Sequence, residues 1–326
     1  MLSNPKDARI GLVYGLAAYF TWGVVPAYFK LLKTVPPIQV LSHRVVWSVL
    51  FLVPLIYFKK LWPDVRKAFG DRKTLLSLCA STTFIAINWF TFIYGVATNR
   101  ILLTSLGYFM TPLVSVLLGV IFLKERLRLL QVISLIIATA AVVILTLQQG
   151  EFPMLAVILA LSFSLYGLMR KTTPAGPLVG LFVETTLLLP IGLVMIVSHL
   201  IHPWTAAPGA QILPADESLA QLLHHTPLLI AAGVITAVPL LWFAGAARRL
   251  RLSTLGLLQY TAPTVSFLLA LIFYHEPFTP AQRIAFSMIW AALILFSADS
   301  VRAYRAAQPA EKVKTPHPEE LCLNEI

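Results

Sequence analysis

The chain has 326 residues, of which 58% are apolar and only 12% are charged. Soluble domains average about 45–50% apolar and about 25% charged residues, so this composition excludes an ordinary soluble fold and favours burial in lipid. The net charge of +11 does not indicate nucleic-acid binding, because the basic residues form short clusters between apolar runs. The two cysteines, Cys79 and Cys322, are too far apart for a disulfide framework or a zinc site.

The apolar runs predict an all-α membrane protein with ten transmembrane helices. A spanning helix needs about 20 mostly apolar residues. In chain order, runs of this kind lie near residues 10–29, 38–58, 74–97, 101–123, 129–147, 153–169, 178–201, 227–247, 252–274 and 281–300. The longest link, 202–226, is rich in Pro and His. Residues 303–326 contain three prolines and mixed charge, which predicts a disordered cytoplasmic tail.

One segment occurs twice in the chain. The pattern P-x-V-S-x-L-L-x-x-I-F-x-x-E begins at Pro112 and returns at Pro263, with eight identities in fourteen positions. A repeat at nearly half the chain length predicts two homologous halves, residues 1–147 and 148–302. Each half then has five helices. Because five is odd, the second half must be threaded in the opposite sense, as in the inverted repeats of transporters.

The distribution of Lys and Arg supports this count of helices. With ten crossings, twenty of the 25 Lys and Arg residues lie on one side, four lie on the other, and Arg44 lies within a span. Lys and Arg accumulate on the cytoplasmic side, so both termini are predicted to be cytoplasmic. The cluster from Lys59 to Lys73 is interpreted as a topology signal and a contact with anionic lipid.

Arg44 and Glu184 are the two clear charges inside the predicted spans. A central Arg costs about 2.5–3.5 kcal/mol on insertion scales, so such groups face the bundle interior and mark a pathway. Each charge lies seven residues after a proline that opens its helix, Pro37 or Pro177. We therefore expect a substrate- or proton-handling pair where the two halves meet. The alternatives are an ion pair that locks the halves together and an Arg that reaches the lipid headgroups.

A set of aromatic and amide residues also lies within the spans rather than at their ends. An amide inside the bilayer needs a partner, and a cavity lined by aromatic rings suits an amphipathic solute. The set comprises Trp22, Asn88, Trp89, Tyr108, Tyr166, Trp242, Gln259 and Tyr260. The alternative for any one of these aromatic residues is that it fills a gap between helices.

Pro112 and Pro263 fall in the middle of predicted helices, where a proline removes a backbone hydrogen bond and kinks the helix. Matched kinks in two halves point to a transport site. Ser115 and Ser266, three residues later, are expected to bond to the backbone that the prolines free. Glu125 and Glu276 are interpreted as residues that cap the turns after these helices.

No P-loop is present, so ATP-driven transport is not expected, and no grouping of catalytic side chains predicts an enzyme. We predict no cofactor and no metal site. The alternative is a metal bound by His and acidic residues in or beside the 202–226 link, His199, His202, Asp216, Glu217, His224 and His225. The predicted partners are a small-molecule substrate and membrane lipid. A coupling proton is one option for the driving force, with uniport or another ion as alternatives.

The repeated segment in two five-helix halves resembles the EamA domain of the drug/metabolite transporter superfamily. Residues 11–26 (GLVYGLAAYFTWGVVP), the segment Ser42, His43 and Arg44, and residues 87–98 (INWFTFIYGVAT) are similar to its RarD branch, whose bacterial members are labelled chloramphenicol-sensitivity proteins. The resemblance covers residues 8–300. It implies a permease of the bacterial inner membrane that works by alternating access. The alternative is a membrane receptor or assembly protein without transport.

Overall fold

A computed structural model describes residues 5–32, 35–98, 100–149, 152–201, 225–273 and 280–307. These residues form twelve helices: α1 Pro5–Lys30, α2 Pro37–Phe58, α3 Trp62–Gly70, α4 Arg72–Ala97, α5 Ile101–Leu123, α6 Leu129–Gln149, α7 Met154–Thr172, α8 Pro177–Ile201, α9 Thr226–Arg249, α10 Leu252–Leu258, α11 Thr261–Phe273 and α12 Pro280–Ala307. Nine of these helices are long and apolar enough to cross a membrane. The all-helical membrane class is therefore confirmed for the described residues.

Nine of the predicted runs correspond to these nine helices. Helix α7 ends at Thr172, beyond the predicted end at residue 169, and α12 extends five residues into the predicted tail. The extension of α12 contains Ala303, Ala306 and Ala307, and alanine is the strongest helix former. The rest of the tail and nearly all of the 202–226 link lie outside the described residues.

The predicted ninth span, 252–274, is broken into α10 and α11. Pro263 has no N–H to donate to the carbonyl of Gln259, four residues earlier. The chain tightens at this point, because Gln259 N donates to Gly256 O and Tyr260 N donates to Leu257 O, each at 3.1 Å. At the matched position, α5 continues through Pro112 without a break. The count of ten crossings therefore stays a prediction.

The short helix α3 was not predicted. It lies in the link between α2 and α4, with Val65 and Ala68 buried and with Trp62 and Phe69 more than a third exposed. A short helix of this kind beside a basic cluster is typical of a membrane interface. After it, Asp71 accepts hydrogen bonds from the hydroxyl and the N–H of Thr74 at the start of α4, and these bonds lower the pKa of Asp71.

The long helices pack as a bundle in which helices from the two predicted halves alternate. α1 packs on α9 and α11, and α2 packs on α8 and α9. α7 packs on α4 and α5, and α6 packs on α12. The largest core cluster includes side chains of α1, α2, α7, α8 and α9, such as Tyr19, Leu52, Tyr166, Phe182 and Phe243. The charged residues of the predicted site therefore lie on helices that contact each other.

Candidate functional site

Arg44 projects from α2 into the bundle. Its Nε donates a hydrogen bond of 2.8 Å to Thr236 Oγ1 of α9, and that hydroxyl in turn donates to Ala232 O. The guanidinium carbon lies 5.2 Å from the ring centres of both Phe29 and Trp89. Within the described part of the chain, no carboxylate lies within 4.0 Å of it. Arg44 is therefore a positive charge held by one hydroxyl and two aromatic rings.

Glu184 lies on α8 and is almost fully buried, with 2% of its surface exposed. Its Oε1 lies 3.5 Å from Nη1 of Arg170, a side chain with no exposed surface. Ser81 donates a hydrogen bond of 2.5 Å to Oε1, and Tyr166 donates one of 3.3 Å to Oε2. The Glu184 carboxylate therefore has both the charged partner and the hydrogen bonds that a desolvated charge needs. Arg170 is less well satisfied, because its buried Nε and Nη1 have no hydrogen-bond partner among the described residues.

Gly180, one turn before Glu184, makes room for this pair. A Cβ atom at position 180 would lie 2.0 Å from Nη1 of Arg170, well inside van der Waals contact. Arg170 Nη2 also donates to Pro177 O at 3.2 Å, so the guanidinium lies along the first turn of α8. The absence of a side chain at Gly180 therefore permits the contact between α7 and α8.

The predicted contact between Arg44 and Glu184 is wrong, because Glu184 pairs with Arg170. The register of α2 against α8 explains the error. Gln39 Nε2 donates to Met195 O, and Gly192 lies against Ser42 O, so the helices are antiparallel. In this register Glu184 is level with a residue about six positions beyond Arg44, or about 9 Å of helix rise. Equal distances from the starts of these two antiparallel helices therefore do not place Arg44 and Glu184 at the same depth.

Sequence reasoning missed Arg170 because it was grouped with Lys171 as a charge of the cytoplasmic side. The predicted helix ended at residue 169, whereas α7 continues to Thr172. The available signal was the spacing from Tyr166, since residues four apart share a helix face. Thr236 and Phe29, which hold Arg44, had no such signal, because they contact it from other helices.

Trp22 and Tyr166 belong to one aromatic cluster, which also includes Tyr19, Phe163 and Phe243. Trp22 lies 5.6 Å from Phe163 and 5.7 Å from Phe243, between ring centres, and Tyr166 stacks on Phe243 at 5.8 Å. Trp22 is only partly buried, whereas Tyr19 and Tyr166 are about 1% exposed. The cluster joins α1, α7 and α9 and ends at Glu184, to which Tyr166 donates.

The other predicted residues are distributed over the bundle. Asn88 donates to Leu159 O at 3.0 Å and to Ser162 Oγ at 3.2 Å, so its amide has the partner that we expected. Tyr260 is buried and donates to Phe109 O at 3.1 Å. Gln259 is buried at the break between α10 and α11, and Trp242 packs against the main core. Tyr108 remains 39% exposed, beside Phe92.

A groove of about 270 Å³ lies between α5 and α6, and none of the predicted site residues lines it. Its walls are aliphatic and threonine side chains, among them Leu113, Val142 and Thr146. The groove therefore does not correspond to the predicted aromatic cavity.

Ser115 and Ser266 do not bond to the backbone near their own prolines. Ser115 Oγ lies 3.0 Å from Ser164 Oγ of α7, and Ser266 Oγ donates to Gly23 O of α1 at 2.8 Å. That prediction is therefore wrong. Both hydroxyls connect neighbouring helices instead.

Glu125 caps a helix of the other predicted half. Its carboxylate accepts hydrogen bonds from Leu252 N at 2.6 Å, Ser253 N at 3.0 Å and Ser253 Oγ at 2.6 Å. Arg251 Nε lies 3.8 Å from the same carboxylate. The free N–H groups at a helix start favour an anion, so Glu125 fixes α10 to the end of α5. The matched residue, Glu276, lies outside the described residues.

Further bonds connect the same end of the bundle. Arg251 Nη2 donates to Arg126 O at 2.5 Å, and Lys171 Nζ donates to the carbonyls of Ala247 and Leu250. Arg248 Nη1 donates to Ala175 O at 2.7 Å. We call the region formed by Glu125, Lys171, Arg248 and Arg251 the basic end of the bundle. Its contacts connect the ends of α5, α7 and α9 with the start of α10.

The family model of the EamA-like transporter family matches residues 9–147. The protein RarD of Salmonella typhimurium is 41% identical over 302 residues, which cover 93% of this chain and 99% of that protein. An uncharacterised transporter of Bacillus subtilis, YojE, is 40% identical over 306 residues, covering 93% of this chain and 98% of the relative. The chloramphenicol-sensitive protein RarD of Pseudomonas aeruginosa is 30% identical and covers 90% of this chain and 96% of its own.

The fold also matches a solved crystal structure with a TM-score of 0.65 at 16% sequence identity. The match covers 88% of this chain and 97% of the other. At this identity the likeness shows a shared fold.

Proposed function

The chain belongs to the EamA-like transporter family and to its RarD branch, and it is a multi-pass membrane protein. On that premise we propose that it is a secondary transporter of the bacterial inner membrane. It moves a small amphipathic or zwitterionic metabolite or drug, without ATP, by alternating access. The matching relatives are named as transporters or as RarD proteins, which is consistent with a chain that is not an enzyme.

The observation that carries this proposal is the symmetry of the helix packing. In the order of the two predicted halves, α1 corresponds to α7, α2 to α8, α4 to α9, α5 to α10 and α11 together, and α6 to α12. If a two-fold axis relates the halves, replacing each helix by its counterpart should turn one packed pair into another. The pair α1–α9 then becomes α7–α4, α2–α9 becomes α8–α4, and α1–α11 becomes α7–α5, and all of these pairs are in contact. The packed pairs α2–α8, α5–α10 and α6–α12 each consist of two counterparts, so the replacement leaves them unchanged. Such a pattern supports two inverted five-helix repeats.

Individual contacts follow the same exchange. Ser115 of α5 bonds to α7, and Ser266 of α11, its match in the repeated segment, bonds to α1. Trp22 of α1 packs against Phe163 of α7, and each belongs to one of two similar segments, 19–23 and 163–167. In our proposal the repeats cover residues 1–147 and 148–302, and the pair α10–α11 makes the tenth crossing.

Alternating access requires an end of the bundle that closes and reopens. The basic end is held in part by polar contacts, which can break and form again. Glu125 binds the start of α10 through hydrogen bonds, and Lys171 binds two carbonyls of the α9–α10 corner. We place this closed end on the cytoplasmic side, because Lys and Arg accumulate there. Both termini are on that side in the same scheme.

A metabolite comparison between cells with and without the gene identifies the compound whose distribution the protein changes. Counterflow of that compound in proteoliposomes then tests transport. We expect labelled compound to accumulate transiently against its own gradient with no ATP present. Absence of counterflow from folded, reconstituted protein would contradict the proposal and favour the receptor or assembly role.

Glu184 is the candidate for proton coupling, because it is the acidic group with a buried partner inside the long helices. In that mechanism Glu184→Gln retains counterflow but loses accumulation driven by a pH gradient. Retained proton-driven accumulation in this variant would assign coupling to another group, to another ion or to uniport.

A further inference from the structure

Arg44 uses few of its hydrogen-bond donors. A guanidinium has five N–H groups, and among the described residues Arg44 has one hydrogen bond, from Nε to Thr236 Oγ1. Phe29 and Trp89 contact the guanidinium through their rings, which stabilise its charge without accepting these in-plane hydrogens. Arg44 is partly exposed. Its terminal nitrogens are therefore available to another group.

The charge of Arg44 also lacks a counterion among the described residues, in contrast to three other arginines. Arg170 has Glu184, Arg128 has Asp299 at 2.6 Å, and Arg251 has Glu125. Charges inside a bundle normally pair with each other or with a ligand. An arginine with an open edge is suited to bidentate binding of a carboxylate or phosphate.

The position of Arg44 argues against a simple approach to the headgroups. Its contacts come from α1, α4 and α9, so the guanidinium lies between helices rather than on the outer surface of α2. Thr236 is 3% exposed, and its hydroxyl is held in place because it donates to Ala232 O. The same hydroxyl accepts the hydrogen bond from Arg44 Nε and so fixes the direction of the Arg44 side chain. Phe29 and Trp89 give the surroundings an aromatic surface.

We propose that Arg44 binds a carboxylate or phosphate group of the transported solute, while Phe29 and Trp89 contact its apolar part. The inference rests on the proposed function and narrows its substrate class to compounds with an anionic group. The hydrogen bond that Arg44 Nε donates to Thr236 Oγ1 orients the guanidinium so that its two terminal nitrogens face the solute. The solute supplies the negative charge that the site lacks.

Protection of Arg44 from phenylglyoxal, which reacts with free guanidinium groups, tests this assignment without requiring transport. Wild-type protein in phosphatidylcholine nanodiscs is modified with and without 3-phenylpropionate or phenyl phosphate, and mass spectrometry reports the rate at Arg44. At a probe concentration five times its dissociation constant, occupancy slows modification about sixfold. Arg128, whose side chain is 45% exposed, is the control within the same chain and should react at an unchanged rate.

Neutral 3-phenylpropionamide should give no protection, because it lacks the charge. Equal protection by the amide, or none by either anion up to solubility, would overturn the proposal. Repetition in phosphatidylglycerol nanodiscs separates the two sources of anion. If that lipid alone protects Arg44 and the probes add nothing, the group bound is a lipid headgroup and the proposal fails. Protection without counterflow would instead overturn the transport function and leave anion binding intact.

A variant completes the test. Thr236→Val removes the hydroxyl that orients Arg44 and preserves the shape of the side chain. We expect it to weaken protection of Arg44 by 3-phenylpropionate several-fold while Arg44 itself remains reactive. Unchanged protection would contradict the orienting role of Thr236.

Discussion

Arg170 and Glu184 form an ion pair with almost no contact with solvent, on two helices joined by a short turn. Two desolvated charges attract strongly, but each has lost its hydration, so the pair adds little net stability. Loss of one partner leaves the other charge buried and unpaired. The residue that remains, rather than the pair itself, then determines the cost.

A double-mutant cycle measures this dependence. Arg170→Met or Glu184→Leu alone should lower the free energy of unfolding by about 3–5 kcal/mol, because each leaves an isolated buried charge. The double variant should lose much less than the sum of the two. Thermal unfolding in detergent, with matched concentrations, gives the comparison.

The control cycle combines Arg44→Met with Glu184→Leu. These two side chains do not contact each other, so their effects should be additive within about 0.5 kcal/mol. Additivity in the Arg170 cycle, or strong coupling in the Arg44 cycle, would contradict the pairing that the structure shows.

At the scale of the helices, close approach depends on glycine. α2 and α9 meet at Gly233, where a Cβ atom would lie 2.5 Å from the backbone carbonyl carbon of Trp47. Ser48 Oγ donates to Gly233 O at 3.0 Å across the same contact. Since backbone atoms cannot rotate away, any side chain at this position must separate the two helices.

Gly233→Ala should therefore destabilise the protein by about 1–3 kcal/mol, the usual cost of overpacking. It should also displace Thr236, one turn later, from Arg44. Gly176→Ala is the matched control, because no heavy atom lies within 4 Å of a Cβ at Gly176. Thermal unfolding of both variants checks the difference, and equal stability would show that the contact can relax.

The cap of α10 by Glu125 is the second prediction at this scale. Hydrogen bonds to a charged group contribute about 1.5–3 kcal/mol, so Glu125→Gln should shift the basic end towards its open state by roughly tenfold or more. The measurement is the alkylation rate of Leu255→Cys, a buried position on α10, in a background without Cys79 and Cys322. We expect a faster rate in the Glu125→Gln background.

Leu103→Cys on α5 is the control for this experiment, because it is buried and lies beyond Pro112 from the basic end. Its alkylation should not accelerate when the basic end opens. If Leu255→Cys is alkylated at the same rate whether position 125 is Glu or Gln, the carboxylate is a static cap and does not close the transport path.

For the whole molecule, the number of crossings determines where the C-terminus lies. Ten crossings place both termini on one side, whereas nine place them on opposite sides. The difference is whether α10 and α11 together cross the membrane. The native cysteine Cys322 reports the answer directly, since Cys79→Ser leaves it as the one thiol of the chain.

With ten crossings and a cytoplasmic N-terminus, an impermeant maleimide should label Cys322 in permeabilised cells but not in intact spheroplasts. Gly150→Cys should react in intact spheroplasts, and Gly176→Cys should react after permeabilisation, which calibrates the two sides. Reaction of Cys322 in intact spheroplasts would indicate nine crossings and refute the inverted repeat.

Local features of the sequence determined the class of the protein. Long apolar runs predicted nine of its long helices, since the hydrocarbon core of a membrane requires about 20 apolar residues per crossing. The repeated segment at Pro112 and Pro263 and the motifs near Trp22 and Asn88 identified the family. These signals are read within one segment at a time, so no knowledge of the packing is needed.

Only the tertiary structure decided which side chains meet. It paired Glu184 with Arg170 instead of Arg44, and it placed Thr236 and Phe29 on Arg44. It also showed that Glu125 caps a helix of the other half. The physical reason is that a contact between helices depends on their register and rotation, and a shift of six residues along α2 moves a charge by about 9 Å. Hydropathy is almost unchanged by such a shift, so the sequence could not specify it.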